Sequence, residues 1–136
     1  MIGYAMLGTA DLARALRFYE PLMQALDMQP CWRDERSVSW GRENDKRVPR
    51  FFIGLPFDGR PASAGNGTMI AFQLPTTGQV DRAYAAAMAH GGSDEGAPGL
   101  RPQYGPTFYV AYVRDPDGNK LAFACYDADP ARQENR

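Results

Sequence analysis

Residues 17–28, RFYEPLMQALDM, return in outline at 82–93 as RAYAAAMAHGGS. Arg17 and Arg82, Tyr19 and Tyr84, and Met23 and Met88 are identical pairs at a constant spacing of 65 (82−17, 84−19, 88−23). At that spacing Tyr4 falls on Met69, so each copy opens with a short apolar run that feeds a helix-like pattern. The chain is a duplicated module, and whatever it folds into must be built from one unit used twice.

The unit can be read from its periodicities. IGYAML (2–7) is a short apolar strand; Thr9 and Asp11 then supply N-cap chemistry for a helix carrying Leu12, Leu16, Tyr19, Leu22 or Met23, and Leu26. Pro21 removes a backbone donor and crowds the carbonyl of Arg17, which predicts a kink or an early helix end. Strands follow at about 28–34, 37–41 and 49–55. The pattern restarts with a strand at 68–74, a cap at Thr76 or Thr77, and a helix through Val80, Tyr84 and Met88 that stops at Gly91-Gly92. A loop rich in Gly and Pro spans 91–106, a strand 107–113, turn chemistry Asp115–Asn119, and a last strand 120–126.

The expected fold is therefore α+β, with two tandem β-α-β-β-β modules. Module one spans 1–57, a linker 58–67, module two 68–127, and a loosely ordered tail 128–136. The module ends repeat too: Phe57-Asp58 with Pro61-Ala62 matches Tyr126-Asp127 with Pro130-Ala131, a spacing of 69 (126−57). The four extra residues of module two are placed most economically in the 91–106 loop.

Fifteen basic and sixteen acidic side chains leave a net charge of −1, with no broad positive field to hold a phosphate backbone, so nucleic-acid binding is disfavoured. No run of about 18 apolar residues, the length a membrane span needs, occurs. The start of the chain lacks a secretory pattern, and the expected location is the cytoplasm. Cys31 and Cys125 read as reduced thiols, and neither is a nucleophile candidate. His90, the single histidine, reads as a solvated residue at the second helix's C-terminus.

DLARALRFY after the first strand, GNGT before the second module and DPDGNKL before the last strand occur in an order and spacing that resembles the vicinal oxygen chelate superfamily. That superfamily includes glyoxalase I, bleomycin-resistance proteins and extradiol dioxygenases, and the resemblance covers residues 1–127. It implies a half-open, eight-stranded sheet around a cavity that holds a divalent metal, and it implies a homodimer.

The family's first-strand His falls on Tyr4, its second-module His on Met69 and its Glu on Ala122, whose first-module counterpart is placed at Ile53 (122−69). None of the four is a usual ligand for zinc, iron or manganese. A thioether is soft, Ala and Ile offer no lone pair, and a phenol of pKa about 10 must first ionise. The resemblance thus implies a member without the familiar metal centre, and no cofactor is expected.

Strand alternation sends Tyr4 with Ile2 and Met6, Met69 with Ala71 and Gln73, and Ala122 with Ala124 and Tyr126 toward the cavity. Trp40, Tyr104 and Phe52 or Ile53 are possible walls. The candidate ligand-binding residues are Tyr4, Trp40, Ile53, Met69, Gln73, Tyr104 and Ala122. The same side chains could instead fill an old metal cavity as core. The expected partner is a small, partly apolar or aromatic molecule. The alternative is a glyoxalase-like lyase or isomerase that uses Tyr4 as acid or base, or a non-standard metal site.

Overall fold

The computed structural model describes residues 1–129. In chain order it contains β1 (Tyr4–Gly8), α1 (Leu12–Ala25), β2 (Gln29–Arg33), β3 (Ser37–Gly41), β4 (Arg50–Gly54), β5 (Met69–Gln73), α2 (Thr77–Ala89), β6 (Ser93–Leu100), β7 (Tyr109–Arg114) and β8 (Lys120–Cys125). A short 3-10 turn, Pro102–Tyr104, lies between β6 and β7. This is the α+β, twice-repeated β-α-β-β-β architecture that the sequence implies. Its eight strands form two four-stranded sheets, ordered β1-β4-β3-β2 and β5-β8-β7-β6.

Each helix begins where a side chain can satisfy an orphan N–H. Asp11 caps α1 by accepting from the Arg14 N–H at 3.0 Å, and Thr76 caps α2 by accepting from Gln79 at 3.2 Å. His90 closes α2, with its ring nitrogen 2.8 Å from the Ala86 carbonyl, and Gly91 follows at φ +101°. Helix α1 runs through Pro21 and ends at Ala25, so of the two outcomes Pro21 predicts, a kink or an early end, the early end does not occur. Phe18, Tyr19, Leu22 and Met23 are all buried around the proline, and packing on that face outweighs one missing backbone bond.

In each module the helix carries the chain over the sheet, so the first and last strands pair in parallel, β1 with β4 and β5 with β8. The helices cover one face of their sheets. Leu7, Val38, Trp40, Phe51 and Ile53 of module one share a core with Val113, Leu121, Phe123 and Cys125 of module two. Phe51 and Phe72 meet edge to face at 5.3 Å, where this core passes between the modules.

Two boundaries differ from the sequence reading. The segment 91–106, expected as a loop, contains β6, whose pairing with β7 slips at Gly96 and again before Gly99. The tail expected from 128 starts with a docked residue: Ala128 is buried, and its N–H donates to the Thr107 carbonyl at 3.0 Å. Residues 130–136 of that tail, with the repeat partners Pro130 and Ala131, lie outside the described residues.

Candidate functional site

The faces of the two sheets turned away from the helices are the place to look for a site, and cross-strand register lays them out as grids. On the module-one sheet the pairs Tyr4–Arg50–Gly41–Gln29 form one row, and Met6–Phe52–Ser39–Trp32 the next. Beyond them Gly8, Gly54 and Ser37 leave the floor low. Met6 leans into that gap, since a Cβ on Gly54 would lie 2.9 Å from the Met6 methyl. On the module-two sheet the corresponding rows are Met69–Lys120–Arg114–Ser93 and Ala71–Ala122–Tyr112–Gly96.

These two faces are not alike. On module two, Val110, Ala122 and Ala124 are buried beneath Phe108 and Tyr112 as a small second core. Phe108 packs against Tyr104 at 6.1 Å and Tyr126 at 5.4 Å between ring centroids. Lys120 and Arg101 flank the Tyr112 ring at 5.2 and 5.9 Å. Among the described residues, module one has no such cover over β1. Tyr4 is 70% exposed and Met6 46%, with Tyr4 meeting Phe52 edge to face at 5.5 Å. Across the gap between the sheets, Met69 is 44% exposed and Ala71 and Gln73 are exposed beside it on β5.

Of the sequence-predicted residues, Tyr4, Met69 and Gln73 lie open on the outward faces. Tyr104 stands exposed on its 3-10 turn at the margin of module two, and Ala122 is buried under the Phe108–Tyr112 cover. Trp40 and Ile53 do not belong to this surface. Trp40 is 2% exposed and lies 6.1 Å from the Tyr19 ring, and Ile53, fully buried, pairs with Leu7 and Val38 on the helix side.

The error at Ile53 is one residue of register. Tyr4 opposes Arg50 as Met69 opposes Lys120, so β4 and β8 are related by 70 (120−50), and the counterpart of Ala122 is Phe52. The spacing of 69 holds only beyond the strands, and in a strand a slip of one reverses the face. With this register, the four positions at which the resemblance implies metal ligands become Tyr4, Phe52, Met69 and Ala122. A phenol, a phenyl ring, a thioether and a methyl group do not fit a divalent metal. Among the described residues no group of three His, Cys, Asp or Glu side chains gathers to hold one elsewhere.

The DPDGN segment, read from sequence as turn chemistry, joins the modules. Asp117 accepts from Thr9 Oγ1 at 2.6 Å, from the Ala10 N–H at 2.9 Å and from Arg14 at 2.7 Å. Asn119 donates to the Gly8 carbonyl at 2.9 Å, and Asp115 accepts from Tyr19. Burial and the adjoining Asp115 charge hold the Tyr19 phenol well above its ordinary pKa, so it stays a donor.

Sequence reasoning missed Arg50 and Ser39, the polar residues of the open face. Their signal was parity with Phe52, recoverable only once the register of β3 and β4 was known. A cleft of about 770 Å³ also opens between the modules, lined in part by Met28, Arg42, Phe72, Gln73 and Tyr126. Arg42 reaches across it to the Gln73 carbonyl at 3.3 Å.

Residues 1–123 match the family model of the glyoxalase/bleomycin resistance protein/dioxygenase superfamily. No curated protein matches the chain. Among solved structures it is similar to a glyoxalase/bleomycin resistance protein from Albidiferax ferrireducens, at 32% identity and a TM-score of 0.82, covering 92% of this chain and 98% of that one. A glyoxalase-related enzyme from Fulvimarina pelagi (20% identity, TM-score 0.70, 92% and 87% covered) shares the fold. So does a lactoylglutathione lyase from Agrobacterium tumefaciens (17% identity, TM-score 0.62, 92% of each chain). With its duplicated modules and its motifs in family order, the chain belongs to the glyoxalase/bleomycin resistance protein/dioxygenase superfamily.

Proposed function

We propose that this chain is a metal-free member of its superfamily that binds a small, partly apolar or aromatic molecule on the outward sheet face of module one. The observation that carries this reading is the exposed apolar face of β1. Tyr4 and Met6 stand in water on a strand whose opposite side, at Leu7, is core. Contiguous exposed apolar surface marks a ligand or partner site more often than chance decoration. The donor set at the family's metal positions supports binding without an ion.

A homodimer in the cytoplasm is part of the proposal. The exposed apolar residues Ile2, Tyr4, Met6 and Met69 lie on or beside the edge strands β1 and β5, where a second copy could close the cavity, and both cysteines are free. Among the described residues no helix is long and apolar enough to cross a membrane.

A thermal-shift screen of aromatic and hydrophobic small molecules, run with and without EDTA, tests the reading. A ligand at about 100 times its dissociation constant adds about 2.7 kcal/mol of stability. The proposal fails if no such compound shifts the transition, or if EDTA abolishes binding. The latter result would favour the lyase or isomerase alternative with an unrecognised metal site.

A further inference from the structure

Two polar atoms on the open module-one face have no partner among the described residues. Ser39 Oγ is fully buried and Arg50 Nε is shut from solvent, and neither makes a hydrogen bond. Buried polar groups are nearly always satisfied, so two exceptions side by side on one face call for an explanation, and a shared ligand acceptor supplies one. Arg50 is only partly engaged, since its Nη2 donates to Asn44 at 3.1 Å. Nearby Asp45 is bound by Arg47 at 2.8 and 3.2 Å, and these bonds are the main cause of its lowered pKa, with the Arg50 charge a lesser one.

Register puts these donors among rings. Ser39 is flanked directly by Phe52 and Trp32, and Arg50 by Tyr4 and Gly41. Ser39 and Arg50 are diagonal neighbours on adjacent strands, about 7–8 Å apart, a distance the long Arg side chain can bridge. An acceptor serving both must therefore be anionic or strongly polar and attached to a flat apolar body. The module-two face lacks this arrangement, because Lys120 lies over the Tyr112 ring and Phe108 helps to close the surface.

We propose that the open face is a binding subsite for a small aromatic carboxylate, with Arg50 holding the carboxylate, Ser39 donating a second hydrogen bond, and Tyr4, Phe52 and Trp32 packing on the ring. This rests on the binding function proposed above and names its ligand class. A guanidinium presents parallel N–H donors that match two carboxylate oxygens. Tyr4, directly opposite Arg50 and largely exposed, can move without disturbing the core and so admit a ligand to the Arg50 side chain.

Calorimetric titration of the full chain with 2-naphthoate and with 2-naphthamide decides it. The two probes share a ring system and differ in charge. Naphthoate should bind at least about tenfold more tightly, a difference of about 1.4 kcal/mol. Arg50→Met should weaken naphthoate by far more than the amide and so erase the preference between the probes, while Ser39→Ala should weaken naphthoate less.

Equal binding of both probes by the wild-type chain would overturn the carboxylate subsite and leave the apolar site standing. Binding of neither would overturn both. Should Arg50→Met lose its near-UV circular dichroism, the wild-type ratio of the two probes still decides. Arg50→Lys then serves as a second variant, expected to keep part of the preference.

Discussion

The Tyr19 hydroxyl donates to Asp115 Oδ2 at 2.5 Å across 96 residues of sequence, tying the first helix to the turn before the last strand. Both groups are buried, and Asp115 also accepts from the Asp117 and Asn119 N–H groups and the Asn119 amide. The duplication that supplies Tyr19 in module one supplies Tyr84 in module two, but Tyr84 bonds to Asp94 within its own module. The repeated tyrosine has thus become a link between modules in one copy only.

Tyr19→Phe should lower unfolding free energy by about 1–3 kcal/mol, the usual effect of depriving a buried acceptor of its donor, as read by urea denaturation. The wild-type chain should also lose stability as pH climbs. Because the folded pKa is raised, the unfolded phenol ionises first, near pH 10, and stability falls from there upward. Tyr19→Phe should flatten that alkaline slope, and an unchanged slope would show that another group causes it.

Asp117→Ala removes the acceptor for Thr9, Ala10 and Arg14 together. The Arg14 pair is partly exposed and contributes little, so the loss should come mainly from Thr9 and the Ala10 N–H. Chemical denaturation should show a decrease of about 3 kcal/mol, at the upper end for hydrogen bonds to a charged group. A change below about 0.5 kcal/mol would mean the modules hold together without this turn.

Gly54→Ala places a methyl 2.9 Å from the Arg36 carbonyl, the Ser37 Cβ and the Met6 methyl. Met6 can move, whereas the backbone oxygen cannot do so cheaply. The cost should be about 1–3 kcal/mol by thermal or urea unfolding, the range for overpacking.

Tyr4→Ala should leave stability within about 0.5 kcal/mol, because the side chain is largely exposed, yet weaken binding of aromatic ligands. Isothermal titration separates the two effects. EDTA should leave the melting temperature of the wild-type chain unchanged, and a fall on chelation would contradict the metal-free reading.

Where the sequence was legible, the period was strong and local. Alternation along β1 and β5 grouped Tyr4 with Met6 and Met69 with Ala71 and Gln73, and these side chains are exposed while Leu7 and Phe72 between them pack in or against the core. Helix α2 stood out because Thr76 and Gly91 bracket it. Strand β6 did not, since SDEGAPGL has no apolar alternation and forms an edge of its sheet with no buried residue. Such a strand owes its existence to the hydrogen bonds β7 offers rather than to its own side chains.

From sequence alone come the duplication and the α+β modules, because identity, order and spacing are properties of the chain itself, while the family resemblance adds the expectation that Tyr4 and Met69 stand where relatives place metal ligands. Tertiary structure decided that Phe52 rather than Ile53 shares the outward face, that Trp40 is core, and that Arg50 Nε and Ser39 Oγ lie on that face without a partner among the described residues. The physical reason is that strand register and cross-module contact depend on partners remote in sequence, and a shift of one residue exchanges the inner and outer faces of a strand.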